Sequence, residues 1–465
     1  MRPMSYKGGS RKRTPAARGR FHAEQRVREQ EVSMVQVRFE DTSGGLDAAV
    51  ASMFEAFGGG RGLLKSSRDV FLKVNGIDFK PHVYTSPEVV AAVVRYFQRQ
   101  GARHVYVMEN STQGNFTRLV FDICGMKKVC DDTGAVPVYL DETAEIPMFL
   151  PGLESFVQIP DFIHEHLIRR RRENLYISIP KLKTHSMTTV TLGIKNQFGL
   201  IHQKSRIADH NFKLHQKIAD IYANIRPDFT LIDGVEATNY GHYPALAQEK
   251  LCVIPVNVLI GGPDPLAVDV AAAKFLGFSL SEVEHLKLAA KYGFGESRMA
   301  KIEIQGSDIF DTRRQKLSWD LLEKFPAGVR IIRGRTMCCT EGCKRNTEAV
   351  LEVFGQDYEG RGSFTILMGK GIAGSDVAGL SGPVHIAGDC AIYEWYPELS
   401  RKLGKSKITV SPGCNNLAKT IDGITRWLHI HPLKLVPINP LKSLALLIQA
   451  KLHGSKANIT QVVKL

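Results

Sequence analysis

The segment from residue 174 to residue 200 concentrates side chains that could bind a charged molecule. It reads NLYISIPKLKTHSMTTVTLGIKNQFGL, and its apolar start is followed by these cationic and polar residues: Lys181, Lys183, Thr184, His185, Lys195 and Asn196. The ends of strands place such groups in a crevice while the sheet behind them stays rigid. The segment therefore predicts a pocket for an anionic molecule and leaves the reaction open.

Three residues are the candidates for catalysis: His185, Lys183 and Asp233. The His185 imidazole, with an unperturbed pKa of ~6.5, could serve as an acid, a base or a metal ligand. Asp233 follows the apolar stretch 229–232, where a carboxylate could act as a counter-charge or a Mg²⁺ ligand. Glu109, after the apolar VYVM, has the same geometry. The alternative for His185 is a purely structural role.

The expected substrate-binding residues are Lys73, Asn75, Lys181, Lys195 and Asn196. Side chains alternate along an extended segment, so Lys181 and Lys183 should project to the same side and could hold one anion together. Lys73 and Asn75 end a neighbouring apolar stretch and could line the same crevice. The alternative for the two strand-end lysines is a contribution to solubility alone.

Cysteines form a second candidate site, because five of the eight lie after residue 337: Cys338, Cys339, Cys343, Cys390 and Cys414. They fall in three segments, each just after a predicted strand, and the carboxyl ends of parallel strands share one edge of a sheet. Four thiolates suit an iron–sulfur cluster or a structural zinc ion. We expect a 4Fe-4S cluster, with zinc or ordinary buried thiols as alternatives. Cys124, Cys130 and Cys252 are expected to be structural.

Strand and helix signals alternate along the first part of the chain. Residues 70–74 and 105–108 have the character of strands, and Ser86-Pro87-Glu88 should begin a helix between them, with Ser86 as its cap. Asp264 before Pro265 predicts a second capped helix. Strand, helix and strand at this spacing indicate parallel βαβ units. We therefore predict an α/β domain over residues 34–310 with a doubly wound, mostly parallel sheet.

The remainder of the chain is expected to form further units. Residues 328–430 alternate strand and helix signals and predict a second, smaller α/β domain that contains the cysteines. Residues 431–465 form a C-terminal extension in which 441–452 should be an amphipathic helix packed on the domain, with a membrane-surface anchor as the alternative. Residues 1–33 are rich in Lys and Arg and predict a disordered basic tail.

Composition narrows the class of protein. Among 465 residues, 43% are hydrophobic and 23% charged, which is typical of a soluble globular protein. Eight cysteines are too few for a secreted disulfide scaffold. No signal peptide and no apolar run of roughly 18 residues is apparent. We therefore expect a cytoplasmic protein without a membrane span.

The ordered motifs PKLKTH, TLGIKNQFGL, LIDGVEA and GGPDPLAVDVAAAKFLGF resemble the family catalogued as domain of unknown function 362. The likeness extends upstream to LKVNG, SPEVVAAVV and VMEN, and it covers roughly residues 40–305. It implies an iron–sulfur protein, since many relatives are described so. The ferredoxin-type Cys-x-x-Cys-x-x-Cys run of such relatives is absent here.

Three functions remain in competition. The first is an oxidoreductase-like iron–sulfur protein of redox or cofactor-linked metabolism, with an anionic small-molecule substrate and an electron-transfer partner. The second is a non-redox transferase or isomerase with structural zinc. The third is a ligand-sensing or nucleic-acid-binding module. Although the net charge is +14, no nucleic-acid-binding motif accompanies it, so nucleic acid is not expected as a partner.

Overall fold

The computed structural model describes residues 34–64, 69–111, 115–435 and 439–456. The predicted basic tail, residues 1–33, lies outside the described residues. The strands are β1 (Val35–Asp41), β2 (Asp69–Val74), β3 (His104–Glu109), β4 (Val136–Tyr139), β5 (Glu145–Leu150), β6 (Ser155–Pro160), β7 (Asn174–Ile179), β8 (Lys181–His185), β9 (Thr189–Val190), β10 (Phe229–Thr238), β11 (Val253–Gly262), β12 (Ile302–Gln305), β13 (Val329–Arg333), β14 (Phe364–Met368), β15 (Val384–Ala387) and β16 (Ile408–Ser411). The main α-helices are Leu46–Glu55, Gly59–Leu64, Pro87–Arg99, Thr117–Ile123, Met126–Thr133, Leu192–Asn196, Gln203–Ala208, Leu214–Asn224, Pro265–Phe275, Glu284–Lys291, Ser307–Arg313, Arg345–Asp357, Gly374–Ala378, Asp389–Leu403, Leu417–Trp427 and Pro440–Leu452.

The larger sheet has ten strands, and its main order is β12-β1-β11-β10-β7-β2-β3-β4, with β8 paired to β10 and to β9. The neighbours from β10 through β7, β2 and β3 to β4 are all parallel, whereas β11 runs antiparallel to both β1 and β10. This arrangement confirms the predicted α/β fold with a mostly parallel sheet. Strand β7 lies in the middle of the sheet and is buried along its whole length, as the apolar start of the lysine-rich segment requires.

The two predicted helix caps have different outcomes. Asp264 accepts hydrogen bonds from the backbone nitrogens of Leu266 and Ala267 at 3.0 and 3.1 Å, which confirms the cap of helix Pro265–Phe275. The prediction that the Ser86 side chain caps its helix is wrong. Its side chain donates to Glu88 at 2.6 Å instead, and makes no bond to the helix backbone. Helix Pro87–Arg99 nevertheless begins as predicted, because Pro87 sets its first turn.

The smaller sheet contains β13, β14, β15 and β16 in that order, and every neighbouring pair is parallel. Helix Arg345–Asp357 connects β13 to β14, and helix Asp389–Leu403 connects β15 to β16. The prediction of a second, smaller α/β fold is thus confirmed. Since the strands are parallel, the loops that follow them all leave from one edge of the sheet.

The described residues from Met34 onward form one compact unit that contains both sheets. An ion pair between Lys80 and Asp357 joins a loop of the larger sheet to the last turn of helix Arg345–Asp357. The Lys80 ammonium group also lies 4.8 Å from the centre of the Tyr243 ring. The predicted boundaries at 34–310, 328–430 and 431–465 stay a prediction.

Helix Pro440–Leu452 packs through Leu446, Leu447 and Ala450 against Phe116 and Leu119. Lys442 on this helix also pairs with Asp122 at 2.6 Å. Within the described ranges, none of the helices combines the length and apolar character needed to cross a membrane.

Candidate functional site

A cavity with a volume of about 190 Å³ lies between the strand ends of the larger sheet and two helices of the smaller one, Arg345–Asp357 and Leu417–Trp427. The predicted residues that line it are Lys73, Asn75, Lys183, His185, Lys195 and Asn196. Their strands are neighbours: Lys73 lies opposite Ser178 of β7 on one side and Met108 of β3 on the other. The structure therefore gathers six sequence-predicted residues into one cavity.

Asn196 and Asp269 hold the lysine-bearing elements in place. The Asn196 amide donates to the Lys73 carbonyl at 3.1 Å and to the Ser178 hydroxyl at 3.0 Å. Asp269, on helix Pro265–Phe275, accepts from the backbone nitrogens of Gly193 and Ile194, both at 2.7 Å. These bonds fix the start of helix Leu192–Asn196, which carries Lys195, and they connect the motif GGPDPLAVDV to the cavity.

Lys181 and Asp233 lie outside the cavity lining. The Lys181 ammonium group pairs with Asp233 at 3.4 Å and with Glu236 at 3.3 Å. Asp233 also accepts from the backbone nitrogens of Ser86 at 2.7 Å and Val235 at 3.1 Å. The structure thus gives Lys181 and Lys183 different partners, and it places Asp233 in contacts that join β8, β10 and the start of helix Pro87–Arg99. Their predicted roles in substrate binding and catalysis stay predictions.

The carboxylates that line the cavity already have partners. Glu109 pairs with Lys73 at 2.6 Å and accepts from the backbone nitrogens of Gly76 and Asn110 at 2.6 and 2.7 Å. Asp78 accepts from the Tyr243 hydroxyl at 3.1 Å, and burial raises the pKa of Asp78, which favours its neutral form. Neither carboxylate offers a full counter-charge to the remaining lysines.

Lys183 and Lys195 have no carboxylate within ion-pairing distance among the described residues. Lys183 is buried and donates to the Val83 carbonyl at 2.7 Å. Burial, reinforced by Lys195 and Lys181, lowers the pKa of Lys183 well below its ordinary value. Burial and the nearby Arg206 and Lys73 lower the pKa of Lys195 to about 7. A bound anion would supply the missing counter-charge and would favour the protonated amines.

Three histidines share the cavity, and burial lowers the pKa of each, that of His210 to about 3. The rings of His185 and His242 are stacked, with their centres 3.6 Å apart and their planes 2° from parallel. Nδ1 of His185 accepts from the Met187 backbone nitrogen at 3.1 Å. The neutral His185 ring therefore carries its proton on Nε2, which makes that atom a hydrogen-bond donor.

Several polar atoms of the lining are unsatisfied. In the described part of the chain, Asn75 Oδ1, Asn110 Oδ1 and His242 Nδ1 are buried without a hydrogen-bond partner. Buried polar atoms are normally paired, and three of them around one cavity indicate places for ligand groups.

Sequence reasoning missed much of the lining. Arg206, His210 and His242 carry no strand-end signal, because Arg206 lies in helix Gln203–Ala208 and the two histidines lie in loops. The wall formed by helices Arg345–Asp357 and Leu417–Trp427 belongs to the other sheet, so only tertiary packing brings it to the lysines. Glu109 did carry a signal, since it ends an apolar strand.

The five C-terminal thiols lie near one another at the edge of the smaller sheet. The backbone nitrogen of Asp389 donates to the Gly413 carbonyl at 2.9 Å, and the Gly413 nitrogen donates to the Asp389 side chain at 2.9 Å. These bonds join the loop of Cys390 to that of Cys414. A Cβ added to Gly388 would lie 2.4 Å from Cys343 Sγ, so the Cys390 loop also contacts the third segment.

The thiols differ in exposure: Cys339 and Cys414 are exposed, Cys338 and Cys390 are half-buried, and Cys343 is buried. Burial and the neighbouring Cys338 thiol raise the pKa of Cys343 to about 12. Within the described residues, no three His, Cys, Asp or Glu side chains converge closely enough to hold one metal ion. The structure shows neighbouring thiols rather than a formed ligand shell.

Hydrogen bonds connect the cavity to the thiol loops. His210 lines the cavity, and its Nδ1 lies 2.5 Å from the side-chain oxygen of Asn211, whose amide donates to the Cys414 carbonyl at 2.9 Å. Asn346 also lines the cavity and donates to the Asn415 carbonyl at 3.0 Å. The two candidate sites are therefore adjacent.

Comparison with known proteins identifies the region that carries most of the cavity's polar lining. Residues 70–274 match the model of the family Domain of unknown function (DUF362), which confirms the resemblance inferred from the motifs. A thylakoid-associated protein of Synechocystis sp. (strain ATCC 27184 / PCC 6803 / Kazusa) is 26% identical over 246 residues, which are 50% of this chain and 71% of that protein.

Two solved structures are distantly similar. The lactate racemase apoprotein from Thermoanaerobacterium thermosaccharolyticum aligns with a TM-score of 0.38 and 13% identity, covering 86% of this chain and 82% of the racemase. A protein from Thermotoga maritima aligns with a TM-score of 0.35 and 12% identity, covering 82% of each chain. Similarity at this level carries no information about the function of the present chain.

Proposed function

We propose that this protein binds a small anionic molecule in the cavity between its two sheets, and that the adjacent thiols hold an iron–sulfur cluster. One observation carries the proposal: Lys183 and Lys195 face the cavity without a carboxylate partner in the described residues. We place this activity in cytoplasmic redox or cofactor-linked metabolism, with an electron-transfer partner.

The energetics favour an anion over a neutral ligand. A buried ammonium group without a counter-charge is costly, and it either loses its proton or acquires a partner. Lys195 tends toward the first outcome, loss of its proton, since burial and the nearby Arg206 and Lys73 lower its pKa to about 7. A carboxylate or phosphate group would allow the second, and charge-assisted hydrogen bonds are roughly twice as strong as neutral ones.

The residues around such an anion could also move protons. A protonated Lys183 or Lys195 beside the anion can donate a proton, and the Nε2–H of the neutral His185 ring can donate a hydrogen bond. The structure therefore supports His185 and Lys183 as the proposed catalytic pair, with Lys195, Asn196, Lys73 and Asn75 positioning the substrate.

The thiol loops fit an iron–sulfur cluster in donor chemistry. Cys338, Cys339, Cys343, Cys390 and Cys414 provide more than the four thiolates that a 4Fe-4S cluster needs. Such a cluster would supply one-electron transfer beside the cavity. Zinc has the same ligand preference without redox chemistry, and it remains the alternative, in a non-redox transferase or isomerase.

Anion binding is tested with sulfate, which stays fully ionised across neutral pH. We expect the wild-type protein to bind sulfate in isothermal titration calorimetry, and Lys183→Gln and Lys195→Gln each to weaken binding at least about tenfold, because each removes one charge-assisted contact. The matched control is Lys128→Gln, an exposed lysine paired only with Asp132. Equal affinity in all four proteins would refute the anion site.

The cluster is tested by iron and acid-labile sulfide analysis of anaerobically purified protein. We expect both elements and a broad absorption near ~400 nm, with loss of iron in Cys390→Ala and in Cys414→Ala. Cys252→Ala is the control, because Cys252 is buried at the end of helix Glu249–Cys252 and belongs to none of the three thiol segments. Full metal content in all three variants would contradict the ligand assignment, and zinc without sulfide would support the zinc alternative.

A further inference from the structure

The cavity has a second wall whose chemistry differs from that of the lysine-rich wall. Helix Arg345–Asp357 contributes Ala349, Val350, Val353 and Phe354, which lie at the spacing of one helix face. Helix Leu417–Trp427 contributes Leu417 and Ile421, which are four residues apart and also share a face. Six apolar side chains therefore face the cavity from the smaller sheet.

The two polar side chains beside this wall, Arg345 and Asn346, both have partners in the protein, although the buried Nε atom of Arg345 has none in the described residues. Arg345 pairs with Glu348 at 2.7 Å and with Glu323 at 2.9 Å. Asn346 donates to the Asn415 carbonyl at 3.0 Å. A ligand that touches this wall consequently meets hydrocarbon surface, while Lys183 and Lys195 lie on the larger-sheet side of the same cavity.

We propose that the ligand is amphiphilic: an anionic head bound at Lys183 and Lys195, joined to an apolar body that packs on the faces of the two helices. This inference rests on the proposed anion site and specifies the kind of molecule that the site accepts. Aliphatic or aromatic carboxylates belong to this class, whereas small, fully polar anions would contact only the lysine-rich side of the cavity.

Two observations support this assignment. Val350, Val353 and Phe354 are buried, and each of them also lines the cavity. The apolar wall also lies outside residues 70–274, which match the family model. The anion-binding side and the apolar side thus come from different parts of the chain.

The inference is tested with a series of straight-chain carboxylates, acetate, butyrate, hexanoate and octanoate, titrated into the full-length protein by calorimetry at constant pH. Each added methylene that packs on the wall should tighten binding by up to about fourfold. The gain should end when the chain fills the cavity. Acetate, which has almost no apolar body, should bind weakest.

Variants separate the head from the body of the ligand. Val353→Thr replaces a methyl by a hydroxyl group at nearly constant shape, and Ile421→Thr does the same while also shortening the side chain. Both should reduce the gain per methylene far more than they change the affinity for acetate. Lys195→Gln should weaken every member of the series by a similar factor. Val410→Thr, on β16 and outside the cavity lining, is the control for the effect of a hydroxyl group in the smaller sheet.

The outcomes distinguish this inference from the proposed function. If acetate and octanoate bind equally well, the amphiphilic ligand is excluded while the anion site stands. If the gain per methylene is the same in Val353→Thr, Ile421→Thr and wild type, the chains bind elsewhere and the inference fails. If neither sulfate nor any carboxylate binds, the anion site itself is excluded.

Discussion

At the residue scale, what separates Lys183 and Lys195 from Lys73 and Lys181 is the partner of each ammonium group. Lys73 pairs with Glu109, and Lys181 pairs with Asp233 and Glu236. The fold decides which lysine has a counter-charge, because each carboxylate lies on a different strand from the lysine that it pairs with. Sequence motifs identify the lysines, but they do not assign the partners.

A residue-scale prediction concerns Gly388, which approaches the Cys343 sulfur. Gly388 has a φ of +87°, and an added Cβ would lie 2.4 Å from Cys343 Sγ. Gly388→Ala should therefore lower the free energy of unfolding by about 1–3 kcal/mol and reduce iron content. Urea denaturation and iron analysis measure the two effects.

The control for this substitution is Gly382→Ala, since a Cβ at Gly382 would meet nothing within 4 Å. Its stability should change by less than about 0.5 kcal/mol. A Gly388→Ala protein as stable and as rich in iron as the Gly382→Ala protein would show that the thiol loops do not depend on this close contact.

At the element scale, the sequence predicts strands and helices well where burial determines their pattern. The strand β7 and the apolar face of helix Pro87–Arg99 lie where the residue types indicate. The exact capping bonds are less predictable. Ser86 and Asp264 both precede a proline, yet only Asp264 caps its helix, because the Ser86 hydroxyl donates to Glu88 and not to the backbone.

These two caps provide a matched pair of stability predictions. Asp264→Ala should destabilise the protein by about 1–2 kcal/mol, because two backbone nitrogens at the start of helix Pro265–Phe275 lose their acceptor. Ser86→Ala should change stability by less than about 0.5 kcal/mol. Thermal or urea unfolding of both variants measures the difference, and equal destabilisation would contradict the assignment of the caps.

At the scale of the whole molecule, the cavity exists because helices Arg345–Asp357 and Leu417–Trp427 of the smaller unit pack over the strands of the larger sheet. The mostly parallel order of the larger sheet and the parallel order of the smaller one could be predicted from the alternation of strands and helices. So could the position of the cysteines after strands, whereas Lys183, expected in a loop after β7, lies inside the further strand β8. The apolar wall could not, since its residues look like an ordinary helix face until helix Arg345–Asp357 lies opposite the lysines. The ion pair of Lys80 with Asp357 is part of that packing.

The central claim is that Lys183 and Lys195 lack a counter-charge until an anion binds. The pKa of Lys195 is about 7 in the free protein, so above that pH the amine is mostly neutral. An anion raises this pKa toward the ordinary value, and binding must then take up protons. The affinity for sulfate should accordingly fall as pH increases above about 7, and lower pH should strengthen binding.

The most direct measurement is the proton uptake on sulfate binding at pH ~8, obtained by calorimetry in buffers with different ionisation enthalpies. We predict an uptake on the order of one proton in the wild-type protein and a smaller uptake in Lys195→Gln. Sulfate binding without proton uptake, and with an affinity independent of pH, would contradict the account.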